Sequence, residues 1–306
     1  SFSPMPSNPR NFPFYNWVPK PLGIIFLLIL FIPIMTVSGV YTANSSEMIG
    51  GLGIQSEHIA FISFVTSIGM AAFSPFFYLL VSVRRQKMMS LVGFSLLAVQ
   101  SYICANTDSL FILALNSLVM GFVRQTLLMC NLFTLIKYGF GIEATRNVTP
   151  GNEPTDEAGW DALDTEKKAS QPIIYFFFML LGQIGTWITA WFAYNYQWQM
   201  VYYAMLGAIL VALLITLLCM PYNPYPTKRS PLSFSKFGNV VVFCLMCCSF
   251  VYVTVYGKVY DWYDSPRIRW ATVICVLSSL LFFYLEKTRR SPYFMLKAFK
   301  SRSIQG

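Results

Sequence analysis

The chain has 306 residues, 56% of them hydrophobic and 11% charged, with a formal charge of +9 and a mean hydropathy of +0.54. Soluble domains carry roughly 25% charged residues, so this composition excludes a soluble globular domain and implies an integral membrane protein. The positive charge reads as membrane topology and attraction to anionic lipid headgroups, because no nucleic-acid module accompanies it.

Residues 1–20 are polar and proline-rich with interspersed aromatics, which reads as a cytoplasmic tail without a cleavable signal. A helix needs about 20 mostly apolar residues to cross a hydrocarbon core of about 30 Å. Eight runs meet that requirement: 22–43, 59–83, 88–105, 109–136, 172–194, 198–220, 240–257 and 268–285. The connections at 106–108 and 195–197 are very short and force antiparallel hairpins. The inner loop 139–170 is long and acidic, and its stretch TDEAGWDALDTEKKA predicts a short amphipathic helix capped by Thr155, with Trp160 and Leu163 on its apolar side. The stretch 221–238 carries four prolines and reads as a linker. The chain therefore divides into a six-helix bundle at 21–220, the linker, two further helices at 239–286 and a basic segment at 287–306.

Lys and Arg near span ends set orientation. With the N-terminus cytoplasmic, Lys258, Arg267 and Arg269 fall outside, Arg124 lies within a span, and every other Lys and Arg falls inside. Both termini are then cytoplasmic, in a multi-pass protein of a cell membrane, with a bacterial inner membrane expected. The seven cysteines sit inside or at the ends of the runs, as small apolar residues and not as loop staples. Cys244, Cys247 and Cys248 lack any His or carboxylate in their span, so no metal or other cofactor is expected.

Polar side chains at membrane depth are costly in lipid and face a packed interior or a wet cavity. Asn116, Arg124, Gln125, Asn131 and Gln183 are the cavity candidates on this ground. Asn116 and Asn131 also suit simple helix-bridging bonds, and Gln125 points about 100° from Arg124 on a helix. All thirteen Asp and Glu lie in loops or at span ends. A proton-linked group among these spans would have to be Glu47, Glu57 or the single histidine, His58, near an outer mouth; otherwise it lies elsewhere in the protein. The aromatics Trp187, Trp191, Tyr194, Trp198, Tyr202 and Tyr203 suit an interfacial belt. A membrane-embedded transferase would need clustered acids, histidines or a metal at membrane depth; none is visible, so an enzyme is not expected.

Six spans, a basic loop after the second, an arginine within the fourth and a glycine-containing fifth resemble the N-terminal half of a major facilitator superfamily transporter. The stretch KVYDWYDSPRIRW between the last two spans is similar to a DWF-S-P pattern of the 14-span drug/proton antiporter branch (EmrB/QacA type), with Asp261, Trp262, Tyr263, Ser265 and Pro266 matching. SPYFMLKAFKSRSIQG resembles the segment that leads into that branch's ninth span.

The resemblance implies an all-α membrane fold whose six-helix bundle works with a C-terminal bundle, here missing or carried by a second chain. It implies proton-coupled efflux of drug-like or amphipathic small molecules by alternating access, with substrate and membrane lipid as partners. It also admits a periplasmic adaptor and outer-membrane channel. Arg124 matches the arginine of the branch's R-x-x-Q-G pattern, with Leu127 and Leu128 in place of Gln and Gly. Arg84, Arg85 and Lys87 match the basic half of the gating-loop motif, without its Asp and Gly, and serve equally as positive-inside charges. In span five Gly182, Gly185, Thr189 and Ala190 keep the small volumes of the branch's helix-packing motif, with Thr186 at its proline. A non-transporting subunit derived from a transporter half is the alternative expectation.

Overall fold

The computed structural model describes residues 13–15, 17–43, 55–73, 86–140, 179–221 and 234–288, with isolated positions at 49, 50, 53, 76 and 176. Side chains at 37–43, 133, 136, 137, 139, 140 and 234–236 are excepted. The described chain is helical throughout: α1 (Lys20–Ala43), α2 (Ser56–Ala72), α3 (Gln86–Asn106), α4 (Leu110–Phe140), α5 (179–195), α6 (Met200–Cys219), α7 (Phe234–Tyr256) and α8 (Pro266–Thr288). Among the described residues, five segments are long and apolar enough to cross a membrane: Gln86–Asn106, Leu110–Leu132, Met200–Cys219, Phe237–Tyr256 and Pro266–Thr288. Lys20–Thr36 and Ser56–Ala72 are shorter apolar helices. The described residues form no strand, and their apolar helices make this a multi-pass membrane protein.

Two helix ends differ from the hydropathy runs. The run 59–83 predicts a single span, but α2 stops at Ala72. Phe73 closes it with N–H bonds to the preceding turn, Phe76 N–H returns to Phe73 O at 2.9 Å, and Pro75 has no N–H to carry the ladder on. The predicted linker 221–238 is shorter than expected, since α7 begins at Phe234, beyond the last of the four prolines. At the other end of that linker, Met220 is extended (φ −98, ψ 129), as the residue before Pro221 prefers, and α6 ends at Cys219.

Contacts divide the chain into two units. The first comprises 1–44, 85–102 and 127–224, the second 45–84, 103–126 and 225–306. In the first unit α1 packs on α6, and α3 packs on α4 where Gly93 admits the Leu127 side chain. The last residues of the expected tail belong to this core. Phe14 and Val18 are buried, the Phe14 ring meets Phe26 and Tyr138 edge-on, and Tyr15 N–H donates to Cys219 O at 3.0 Å. Lys87 Nζ donates to Leu217 O at 2.9 Å, so two carbonyls of α6's last turn accept from distant donors. In the second unit α7 packs on both α8 and α2, around Ala72, Phe76, Val240, Phe243 and Phe282.

The aromatics near the α5–α6 connection divide by helix face. Trp187, Trp191, Tyr194 and Tyr203 are exposed, whereas Trp198 and Tyr202 are buried against each other with ring centroids 6.3 Å apart. Only the first group suits a belt.

Candidate functional site

In the second unit α2 and α4 meet backbone to backbone. A Cβ on Gly69 would collide with the Leu118 carbonyl, and one on Gly121 would collide with the Thr66 carbonyl and lie 3.1 Å from Met70 N. Small residues allow this approach in membrane helices, where packing contacts rather than hydrophobicity drive association. The crossing aims Arg124. Residues three apart share a helix face, so the residue one turn after Gly121 points toward α2. Arg124 is only 7% exposed, and its Nη1 donates to Met70 Sδ at 2.6 Å. A thioether is a weak acceptor. The guanidinium, a permanent cation with five donors, is thus held in a buried place by helix geometry.

The other sequence candidates fall in several places. Asn116, also in the second unit, is part-buried and donates through Nδ2 to Cys104 Sγ at 3.0 Å. Gln125 is part-buried. His58 Nδ1 shares a 2.6 Å hydrogen bond with Tyr256 Oη, which ties the first turn of α2 to the end of α7. Glu57 stands in that same turn and accepts from Ser56 Oγ at 3.1 Å. Glu286, at the last turn of α8, is 5% exposed. Glu47, Arg84, Arg85 and the amphipathic stretch at 155–169 lie outside the described residues, as do most of the loop 139–170 and the segment 289–306.

In the first unit Asn131 is fully buried, its Nδ2 donating to Leu127 O at 2.8 Å. Nearby on the α3–α4 contact, Thr134 Oγ1 lies 2.7 Å from Gln86 Oε1 and 2.8 Å from Cys130 O. One hydroxyl proton cannot serve both acceptors, so the Gln86 amide is better turned, with its nitrogen donating to Thr134. Gln183 is exposed on α5.

The four small residues of α5 divide in two. A Cβ on Gly185 would lie 2.7 Å from Met35 C and 2.8 Å from Met35 O on α1. Thr189 is buried, donates to Gly185 O at 2.8 Å and stands 3.5 Å from Thr36 O. Gly182 has nothing within 4 Å of a Cβ position, and Ala190 is exposed. Gly185→Ala is therefore expected to destabilise by about 1–3 kcal/mol, since backbone cannot give way as a side chain can. Gly182→Ala is expected to be neutral or to stabilise by up to about 1 kcal/mol through helix propensity. Thermal unfolding of both variants in detergent checks this contrast, and equal effects would refute the assigned α1–α5 contact.

Among the described residues no group of three or more His, Cys, Asp or Glu is placed to hold a metal. Cys244, Cys247 and Cys248 are free and part-buried on α7. The residues that sequence reasoning passed over are Gly69, Gly121, Met70 and Cys104. Two lone glycines inside apolar runs were the available signal, but a single glycine does not name its neighbour. The chain matches no protein-family model and no curated protein sequence.

Proposed function

We propose that this chain is the N-terminal part of a membrane transporter of the major facilitator type. It works with a further six-helix bundle to export drug-like or amphipathic small molecules by alternating access, coupled to protons. The observation that carries the reading is the buried Arg124 cation, held over α2 by the Gly69–Gly121 crossing within a membrane helix. Buried charge at membrane depth is expensive, and it marks substrate or ion pathways where it occurs. The residues that match the antiporter branch, Asp261 to Pro266 and Gly185 with Thr189, support the same reading from the sequence side.

The test is restoration of the protein, together with a C-terminal bundle, in a pump-deficient bacterial host. Raised tolerance to lipophilic cations or related toxicants is expected. Unchanged tolerance across a broad compound panel at normal expression would reject drug export. The loop around Arg84 and Arg85, which lacks the Asp and Gly of the gating motif, favours a second reading: a membrane subunit that has lost transport. On that reading the protein changes the behaviour of a partner without moving any solute itself.

A further inference from the structure

The connection from α7 to α8 is a built corner. Asp261 (φ 51, ψ 41) and Trp262 (φ 53) are both left-handed. That conformation costs L-residues roughly 1–2 kcal/mol, and for a side chain as large as Trp it persists only where the surroundings over-determine it. They do so here. Trp262 N–H donates to Gly257 O at 2.7 Å, and the Trp262 ring covers Gly257 so closely that a Cβ there would sit 2.7 Å from its atoms. Asp264 and Ser265 N–H groups close the following 3-10 turn, at 3.3 and 3.4 Å.

The corner sets the backbone of Tyr263 and the Asp264 carbonyl at the head of α8. Arg269 Nη2 donates to that carbonyl at 3.1 Å. Arg267 turns elsewhere, over the Tyr260 ring at 5.4 Å from its centroid. Below Arg269, a cleft of about 470 Å³ is walled by Tyr263, Arg269, Thr272, Val273, Val276 and Leu277. The α8 residues follow i, i+3, i+4, i+7, i+8 spacing, a single helical stripe that descends about 12 Å. Thr272 Oγ1 donates to Ile268 O at 2.9 Å, so beyond Arg269 the stripe presents apolar surface.

The cleft's own lining is apolar, closed at one end by the Tyr263 ring and the Arg269 stem, whose guanidinium stands at the rim on the Asp264 carbonyl, and it lies on a helix long and apolar enough to span a membrane. Val273, Val276 and Leu277 are exposed, as are Trp262, Tyr263 and Trp270 near the charged end, where interfacial aromatics belong. The corner carries Lys258, Arg267 and Arg269 against Asp261 and Asp264, a positive balance. We propose that the cleft is a binding site for one anionic phospholipid. The phosphate meets the Arg269 guanidinium and the Tyr263 hydroxyl, and an acyl chain lies along Val273, Val276 and Leu277. Arg suits this role because its planar fork presents five donors, of which the Asp264 carbonyl engages one, leaving an edge for two phosphate oxygens. Its volume lies in the range of sites that hold an extended small molecule.

Native mass spectrometry of the purified full chain, with phosphatidylglycerol and phosphatidylcholine of identical acyl chains, tests the assignment. Phosphatidylglycerol is expected to bind about five-fold more tightly, as one basic group near a headgroup provides. Arg269→Gln is expected to erase that preference, and Arg267→Gln to leave most of it. Leu277→Trp, which fills the cleft, is expected to weaken the first adduct of both lipids while helicity by circular dichroism is unchanged. Equal binding of the two lipids by the wild-type chain would overturn the proposal, as would a preference that survives Arg269→Gln. Either result would also stand apart from the transport reading, because neither variant touches Arg124.

Discussion

Gly121→Ala in α4 is expected to lower stability by about 1–3 kcal/mol, several degrees in the unfolding midpoint, the cost of forcing one extra methyl into a filled contact. The new Cβ would collide with the Thr66 carbonyl of α2, and a helix carbonyl cannot swing aside as a lysine tip can. Gly69→Ala is expected to behave alike, because its Cβ meets the Leu118 carbonyl from the opposite side. Gly207→Ala on α6 is the control, with nothing within 4 Å of its Cβ position. Detergent unfolding followed by circular dichroism gives the comparison. A Gly121→Ala midpoint no lower than that of Gly207→Ala would mean that α2 and α4 do not cross there.

Arg124→Ala is expected to reduce transport by the restored protein roughly ten-fold or more, the scale of losing a hydrogen bond to a charged group. Insertion should not suffer. Removing a charge from mid-helix relieves about 2.5–3.5 kcal/mol on the scale of membrane insertion, so expression at or above the wild-type level is expected. Arg124→Lys keeps the charge but loses the planar fork, and should fall between the two. Met70→Leu removes the thioether that accepts from Nη1 at 2.6 Å while nearly preserving volume, and should cost little if that contact only orients the cation. Tolerance retained in Arg124→Ala at equal expression would remove Arg124 from the pathway.

Much of the architecture was legible in the residues, and its failures have a common cause. Apolar length located α3, α4, α6, α7 and α8, because a span must satisfy its backbone internally and shows as an uninterrupted run. Hydropathy does not register a missing N–H, so Pro75 passed unnoticed within an apolar run. Faces were harder still. In a soluble helix the buried stripe differs chemically from the exposed one, whereas here both are apolar. Trp191 and Trp198 therefore look alike in sequence, although one is exposed and the other buried. Arg124 stood out because its cost is intrinsic. Gly69 and Gly121 did not, because what makes them matter is a backbone about 50 residues away.

The two donors at the end of α6 bear on how the first unit is assembled during synthesis. Tyr15 N–H finds its acceptor at Cys219, and Lys87 finds its own at Leu217. A ribosome adding about 5–20 residues per second reaches Cys219 some tens of seconds after Tyr15 has been made. Residues made before all of the described helices are thus among the last to settle, and Phe14 and Val18 must wait outside their final packing until the sixth helix arrives. A bulky fusion placed close before Phe14 would interfere with this late closing step, even where it leaves every membrane helix intact.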